Sequence, residues 1–587
     1  MVFGTKPAES KAIQMETKDG QESEKDRDVQ KKSPFDLIFN QIQRKKSNKG
    51  KSDFFQVNRF FRGFERNVAK PEKENAPQET DGAQATDPTP DNVDGNSSTA
   101  EKTEFESEES AWWKVEQLMQ KFGKRAERNY ITLNNCELTA ADMKELSVLL
   151  CCLSDVEELD ISWNDLIGGS VHLLTSQFSH ISNLKILALS NCSLTVNDFV
   201  ALGEALKLVP HLEGLDLSWN THLGGNLTSV TQHFSSQCNI KSLNLTECNL
   251  KSQDIDALAQ ALSKMPKLES LDLSANKEIG AVIMKITEEL MLCSYLRELK
   301  LHAAGLKQDG IKNLSSAFEH WPCLRQLDLS GNKEAGGGFR EAAARLTSFK
   351  QLELLDIHKC CLSADDIAAL TQVIPLLSNL QVLNISSNKS VGQSPEHLFS
   401  RLRFLPKLKS VIASNCALRT ESIVALAEAS NYLLDLEILD LSWNKCVGGN
   451  LKLFSKTLKN TAALHSLMLS SCNLVTQDMA VLASAVQDGH LQDLQLLDLA
   501  YNDTISDEGW GLFFESLGDL KNIAELDISL RPSSSRHCGP WFIHLLSSFL
   551  KLPKLKDLGM QRWVLSDAEQ QQLDRVSKER TININFD

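Results

Sequence analysis

The stretch Leu159-Asp-Ile-Ser-Trp-Asn164 returns in altered form as Leu187-Ala-Leu-Ser-Asn-Cys192 and as Leu215-Asp-Leu-Ser-Trp-Asn220. In each copy aliphatic and polar residues alternate, which is the pattern of a short β-strand with one buried face. The closing residue, Asn or Cys in all but one copy, recurs every 28 positions through twelve consecutive steps from Cys136 to Cys472. Beyond Cys472 the steps become slightly longer and less regular. Such a long unbroken register predicts repeated units stacked in a row.

Each repeat has room for one strand and one return helix. The two aliphatic residues of the strand point inward, and the closing residue turns the chain while its small side chain reaches buried backbone groups. A helix of about 12 residues then follows, for example from Ala140 to Cys151. Thr139 and Ser363 each precede an Asp by three positions, a spacing that is typical of a capping box at a helix start. One unit cannot bury its own apolar face, so the units must stack.

Two types of unit alternate, so the full period is a pair of units. Cys-type units close on Cys and begin their helix directly, whereas Asn-type units close on Asn and continue into a glycine turn such as Gly168-Gly169 or Gly224-Gly225. These alternating units resemble the repeats of ribonuclease inhibitor, of NOD-like receptors and of the Ran GTPase activator. The resemblance covers residues 130 to about 587. It implies an α/β fold, a right-handed leucine-rich-repeat solenoid in the form of a horseshoe, with a parallel inner sheet and outer helices.

The repeat pattern also sets the expected boundaries. The solenoid is predicted over 130–565, with 16 strands and one further strand near the C-terminus. Polar caps are expected at both ends, as a helix within 110–129 and as a C-terminal cap over 566–587. The stretch from Leu530 to Trp541 interrupts the period and is predicted to be a loop that projects from the edge.

Residues 1–109 have a different composition from the repeats. They contain no cysteine and few aliphatic residues, so they are predicted to be disordered. Their charge is divided into blocks, because residues 31–73 hold 12 Lys or Arg against 4 Asp or Glu, whereas residues 74–109 hold 1 Lys against 11 acids. The basic block is a candidate interaction segment.

Within that block, residues 53–66 combine aromatic and basic side chains at helical spacing. The candidate residues of this linear motif are Phe54, Phe61, Phe64, Arg59 and Arg62. One interpretation is an amphipathic segment that folds on a protein partner or on an anionic membrane surface. The other is a hydrophobic cluster without a role of its own, or a strap along the edge of the solenoid.

Composition excludes several classes of function. The formal net charge of −15 disfavours non-specific binding of nucleic acid. Neither an export signal nor a stretch of 18 apolar residues is found, so the sequence predicts a cytoplasmic protein without a transmembrane segment. The 14 cysteines lie mostly within apolar runs, as buried thiols do in a reducing compartment.

Outward positions of the Asn-type strands hold the candidate partner-binding residues. Asp160, Asp216, Asp440 and Asp498 occupy one equivalent position. They either bind a partner or are repeat-consensus residues that bond to neighbouring strands and turns. Trp163, Trp219, Trp443 and Tyr501 occupy another position, which the resemblance places on the concave surface. These aromatic side chains are either binding hot spots or stacked groups that stiffen the array. Between them lies a basic or titratable centre made of Arg297, Lys300, His302, His358 and Lys359.

No catalytic constellation can be assembled from the sequence. It contains no phosphate-binding glycine loop, nucleophile elbow or zinc-binding motif, and its 13 histidines show no clustering along the chain. We therefore expect no cofactor, no metal and no enzymatic activity. The leading hypothesis is a scaffold or inhibitor that binds a protein partner on its concave face. The alternatives are a GTPase-activating protein of the Ran-activator type and an inhibitor of basic ribonucleases, both suggested by the resemblance alone.

Overall fold

The computed structural model describes residues 108–586, with the exception of residues 126, 236–237 and 395–397. All described residues belong to one compact unit. The predictions made for residues 1–107, including the linear motif within 53–66, lie outside the described residues.

Seventeen short parallel strands form one sheet, and each strand pairs with the next one along the chain. The strands of this sheet are β1 Tyr130–Thr132, β2 Glu158–Asp160, β3 Ile186–Ala188, β4 Gly214–Asp216, β5 Ser242–Asn244, β6 Ser270–Asp272, β7 Glu298–Lys300, β8 Gln326–Asp328, β9 Leu354–Asp356, β10 Val382–Asn384, β11 Ser410–Ile412, β12 Ile438–Asp440, β13 Ser466–Met468, β14 Leu496–Asp498, β15 Glu525–Asp527, β17 Asp557–Gly559 and β19 Asn583–Asn585. Two shorter strands, β16 Arg536–His537 and β18 Trp563–Val564, pair with each other. The predicted count of 16 strands and a final one is therefore confirmed.

A helical segment follows most strands on the other side of the stack. The α-helices are α1 Glu108–Lys121, α2 Ala140–Leu150, α3 Val171–Thr175, α4 Val196–Ala205, α5 Thr228–Thr231, α6 Ser252–Leu262, α7 Ile279–Leu290, α8 Gln308–Ser315, α9 Phe339–Leu346, α10 Ala364–Val373, α11 Thr420–Ser430, α12 Ser455–Asn460, α13 Thr476–Gln487, α14 Asp507–Leu517, α15 Phe542–Phe549 and α16 Asp567–Arg580. The 3₁₀ helices are Leu206–Leu208, Thr221–Leu223, Phe318–His320, Ile374–Leu376, Val391–Gln393, Leu398–Phe404, Lys445–Val447 and Leu451–Phe454. Among the described residues, no helix has the length and apolar character that crossing a bilayer requires.

The length expected for the return helix is wrong for several Asn-type units. The glycine turn uses part of the repeat, which leaves α3 with 5 residues and α5 with 4 residues. Cys-type units begin their helix directly, and α2 and α6 reach 11 residues. The capping boxes at Thr139 and Ser363 are confirmed, because each hydroxyl accepts a hydrogen bond from the amide of the Asp three positions later.

Leucine side chains at the same position of successive strands hold the stack together. Leu159 pairs with Leu187, and Leu187 pairs with Leu215, in register across neighbouring strands. All three side chains are buried in a continuous hydrophobic core that extends from α1 to the C-terminal strand. Each unit therefore completes the core of the next one, which is why an isolated unit could not fold.

The closing asparagine links neighbouring units through hydrogen bonds. Asn220 is 1% exposed, and its Oδ1 accepts hydrogen bonds from the amides of Cys192 and Leu194 in the preceding unit. Its Nδ2 donates to the carbonyl oxygens of Leu189 and Leu217 at 2.8 and 2.9 Å. The predicted role of the closing residue, contact with buried backbone groups, is confirmed.

The glycine turns of the Asn-type units fit against the unit that follows, as Gly224 illustrates. A Cβ on Gly224 would lie 2.0 Å from the carbonyl oxygen of Asn249, so only glycine fits there. The turn is held from the same side by Asp254, whose carboxylate accepts hydrogen bonds from the amides of Gly225 and Leu227. Asp254 also lies in the first turn of α6, so one carboxylate fixes both the helix start and the preceding turn.

The segment between Leu530 and Trp541, which was predicted to be a projecting loop, is exposed at Pro532, Ser533, Ser535, His537 and Pro540 but is anchored at its end. Trp541 is 1% exposed and its ring lies 4.8 Å from that of Trp563 and 6.2 Å from that of Trp510. The segment is drawn inward because β16 pairs with β18 and because the indole of Trp541 donates a hydrogen bond to Asp507. Buried aromatic area thus replaces the regular repeat contacts at this point.

Candidate functional site: the sheet face

The outward side chains of the seventeen-stranded sheet form a continuous surface, which we call the sheet face. Asp160 and Asp216 lie on this face, as predicted from their register, but their carboxylates are already engaged. In each, Oδ1 accepts a hydrogen bond from the amide of the serine two residues later, Ser162 or Ser218. Their Oδ2 atoms accept hydrogen bonds from the side chains of Asn134 and Asn244 in neighbouring units, at 2.8 and 3.1 Å.

Asp440 and Asp498 make the same backbone contact, with the amides of Ser442 and Ala500 at 2.9 Å. Burial raises the pKa of Asp440, and it raises the pKa of Asp498 to about 7 with a further contribution from the charge of Asp527. Asp527 stands in register with Asp498 on the next strand. The sheet face is therefore less negative at neutral pH than its row of aspartates suggests.

The aromatic side chains meet in two pairs. The rings of Trp163 and Trp219 have centroids 6.2 Å apart at an interplanar angle of 43°, and those of Trp443 and Tyr501 are also 6.2 Å apart, at 53°. In each pair the residues belong to Asn-type units, with one Cys-type strand between them. Trp219 remains 43% exposed in spite of this contact. The two pairs thus combine mutual stacking with accessible aromatic surface.

The backbone at these positions is left-handed. Trp163, Trp219, Trp443 and Tyr501 have φ values of 63°, 61°, 64° and 60°. The equivalent residues of the central Asn-type units are small: Ala275, Gly331 and Ser387 have φ values of 61°, 73° and 57°. The turn therefore forms without an aromatic residue, and a bulky side chain with positive φ is unfavourable there.

Two histidines meet at the centre of the sheet face. His302 and His358 have ring centroids 5.6 Å apart, although the sequence shows no clustering of histidines. They are two repeat units apart, which places them at the same position of two strands with β8 between them. Side chains two repeat units apart in the sequence meet on the sheet face. A search for titratable residues 56 positions apart could therefore have found the pair of His302 and His358.

A second feature missed by the sequence analysis is a row of ion pairs just before the strands. Lys185 contacts Glu157 at 2.8 Å and Lys241 contacts Glu213 at 2.9 Å, with opposite charges on neighbouring units. The regular spacing of alternating Glu and Lys, one repeat unit apart, could have predicted the row. These pairs are largely exposed, so each contributes only about 0–1 kcal/mol.

The cysteines form a structural row behind the sheet. The thiol of Cys192 lies 3.3 Å from the carbonyl oxygen of Ile161, and the same contact recurs at Cys248, Cys416 and other Cys-type closing residues. Burial raises the pKa of Cys192 to about 12, which makes this thiol a poor nucleophile. Within residues 108–586 and their stated gaps, no three His, Cys, Asp or Glu side chains converge as a metal centre.

The sequence is similar to those of several known repeat proteins. Ribonuclease inhibitor from Sus scrofa is 26% identical over 424 residues, which cover 70% of this chain and 89% of the inhibitor. Ribonuclease inhibitor from Mus musculus is 28% identical over 346 residues, covering 58% of this chain and 76% of the inhibitor. NACHT, LRR and PYD domains-containing protein 13 from Homo sapiens is 26% identical over 349 residues, which form 32% of that longer protein.

A family model described as leucine-rich repeat matches residues 490–510. Among solved structures, a leucine-rich-repeat protein of Leptospira interrogans has a TM-score of 0.41 with 18% identity, covering 76% of this chain and 99% of that one. An internalin of Listeria monocytogenes has a TM-score of 0.39 with 18% identity, covering 67% of this chain and 95% of the internalin. The described residues therefore form a solenoid of leucine-rich strand–helix units around a parallel sheet, and the sequence is similar to those of the ribonuclease inhibitors.

Proposed function

We propose that this protein is a non-catalytic interaction scaffold that binds a protein partner on its sheet face, with the two aromatic pairs as the main contacts. Trp163 and Trp219 form one contact and Trp443 and Tyr501 form the other. The pairs are about eight strands apart, which corresponds to about 40 Å at the usual strand spacing. A partner that touches both pairs must therefore be a folded domain or an extended segment of comparable length.

The observation that carries the proposal is the presence of aromatic rings where the fold does not need them. Gly331 and Ala275 show that a small residue completes the same turn. A tryptophan at this position adds backbone strain and leaves apolar area exposed to water, as Trp219 shows at 43% exposure. Binding of a partner would remove that apolar area from water, which would explain why an aromatic residue is present at this position.

The aspartates contribute in a secondary way. Because Asp160 and Asp216 already accept hydrogen bonds within the sheet, we infer that they orient the strand ends and bias the face towards basic partners. We also place the protein in the cytoplasm, since all 14 cysteines are free thiols, as expected in a reducing compartment.

The experiment compares partner capture by the full chain and by two double variants, Trp163→Ala/Trp219→Ala and Trp443→Ala/Tyr501→Ala. A matched control, Trp113→Ala/Tyr295→Ala, removes two rings that are 58% and 60% exposed but lie away from the sheet face. Circular dichroism and thermal unfolding establish that each variant is folded. Partners that are retained by the control and lost from one or both test variants support the proposal. Equal capture by all four proteins would refute it.

Inhibition of a basic ribonuclease is a second candidate, favoured by the similarity to two ribonuclease inhibitors and by the net charge of −15. An inhibitor of this kind abolishes the activity of a pancreatic-type ribonuclease at a near-equimolar ratio. Full activity of the enzyme in excess scaffold protein eliminates this candidate and leaves the sheet-face proposal intact.

A further inference from the structure

The two central histidines are held in fixed orientations by their neighbours. Nδ1 of His358 contacts Oδ1 of Asp356 at 2.8 Å, and Nδ1 of His302 contacts the hydroxyl of Ser330 at 2.7 Å. That hydroxyl donates in turn to Oδ1 of Asp328 at 2.5 Å. Each imidazole is therefore linked to a carboxylate, one directly and the other through a serine.

This arrangement leaves the other nitrogen of each ring available. Within the part of the chain that the structure describes, Nε2 of His302 and Nε2 of His358 have no hydrogen-bond partner. A carboxylate on Nδ1 fixes the tautomer with its lone pair on Nε2 and increases the basicity of that nitrogen. Imidazoles in this state are the commonest protein ligands of divalent transition metals.

Small residues surround the histidine rings. On the strands around them, the positions that elsewhere hold Trp or Tyr are occupied by Ala275, Gly331 and Ser387. Gly331 lies between the two histidine-bearing strands, and a Cβ there would lie 2.9 Å from Cε1 of His302. The rings approach each other over a residue that has no side chain.

Charged groups of both signs act on the histidine pair, namely the carboxylates of Asp272 and Asp356 and the ammonium of Lys359. The nearby Lys300 lies 3.8 Å from its own carboxylate partner, Glu298.

We propose that His302 and His358 form a binding site for a divalent transition metal of the zinc type on the sheet face. The two Nε2 atoms supply two ligands, and water or a side chain of a bound protein supplies the others, because zinc prefers four ligands. Asp356 and Ser330 act as positioning residues. The site lies between the two aromatic pairs, so a metal there would give a partner with an exposed His, Cys or Asp a further point of attachment.

The test is calorimetric titration of the chelator-treated, reduced full chain with zinc chloride, after alkylation of the exposed thiols that would otherwise compete. The variants are His302→Gln and His358→Gln, and the matched control is His172→Gln, which changes an exposed histidine on α3. We expect one zinc ion per chain, with binding that weakens by at least about 10-fold in either test variant and is unchanged in the control.

A second measurement separates metal binding from unfolding. In nitrogen-detected histidine spectra of the wild-type protein, zinc should shift the Nε2 resonances of two histidines, and the assignment follows from their loss in the two variants. Absence of zinc binding, or equal binding by the control and both test variants, overturns the proposal. Because no partner is present, the outcome does not depend on the proposed scaffold function.

Discussion

The buried asparagine that closes every second strand shows how much one side chain can contribute to this fold. Asn220 joins the backbone of two neighbouring units, and each of its polar atoms is satisfied away from water. Its replacement would leave several amides and carbonyl oxygens buried without partners, at about 1–3 kcal/mol each before relaxation.

We therefore expect Asn220→Ala to lower the free energy of unfolding by about 3–4 kcal/mol, as measured by urea denaturation. The control is Asn313→Ala on α8, an exposed position that should change stability by less than about 0.5 kcal/mol. Equal effects of the two substitutions would show that the buried hydrogen bonds of Asn220 contribute little.

Asp498 should make stability dependent on pH. Its folded pKa of about 7 lies above the unfolded value of about 3.9, so between these values the folded state holds a proton that the unfolded state has released. Stability attributable to this group is therefore greatest at low pH, falls as pH rises from about 4 to about 7, and is constant above that range.

Asp498→Asn retains an oxygen for the amide of Ala500 and removes the charge. We expect this variant to have a higher melting temperature than the wild type at pH 8, with the difference shrinking as the pH falls and disappearing near pH 4. The exposed Asp493→Asn should behave like the wild type at both values. A constant difference between Asp498→Asn and the wild type across the pH range would contradict the assignment.

For single residues, the sequence predicted the place of a side chain in the fold better than its protonation state. The register located Asp498 on the sheet face because the repeat period is a local property of the chain. The raised pKa of Asp498 was not predictable, since it depends on burial and on Asp527 of the next unit. Likewise, the His302–His358 contact depends on a separation of two units and is not visible to local motif analysis.

Among the elements, the segment between β15 and β18 departs most from the repeat. The sequence indicated a loop because glycine, proline and serine interrupt the period there. It did not reveal that Trp541 contacts Trp510 and Trp563, because both of these residues belong to other elements. Long-range aromatic contacts override local turn signals when the buried area is large.

Trp541→Ala should accordingly destabilise the C-terminal end of the array. Loss of a buried indole with several ring contacts corresponds to about 3–5 kcal/mol. Hydrogen exchange should show loss of protection concentrated in α14 to α16, while protection of the first repeats is retained. Trp113→Ala, which removes a ring that is 58% exposed on α1, is the control and should leave exchange unchanged. Uniform loss of protection along the array would indicate instead that the repeats unfold as one unit.

At the scale of the whole molecule, the reactivity of the buried thiols can be used to measure whether the stacked repeats are folded. Cys192, Cys248 and Cys416 have pKa values of about 12 because of burial, whereas Cys151, Cys361 and Cys446 are exposed. A reagent that reacts with the thiolate form should therefore label the three exposed cysteines within minutes and leave the three buried cysteines unlabelled. In increasing urea, we expect labelling of the buried row to follow the loss of helix signal. Rapid labelling of Cys192 in native buffer would contradict the packed core.

The fit between glycine turns and the following unit also limits how such an array can lengthen by gene duplication. The carbonyl oxygen of Asn249 lies so close to Gly224 that no Cβ fits there, and the carboxylate of Asp254 holds the turn through hydrogen bonds. Both residues belong to the Cys-type unit that follows. Duplication of a single unit would place two Asn-type or two Cys-type units next to each other. A glycine turn would then no longer be followed by the Cys-type unit against which it packs. Duplication of an Asn-type unit together with its Cys-type neighbour preserves every junction. The array is therefore expected to gain or lose units in pairs, and a designed version should be extended by the same step.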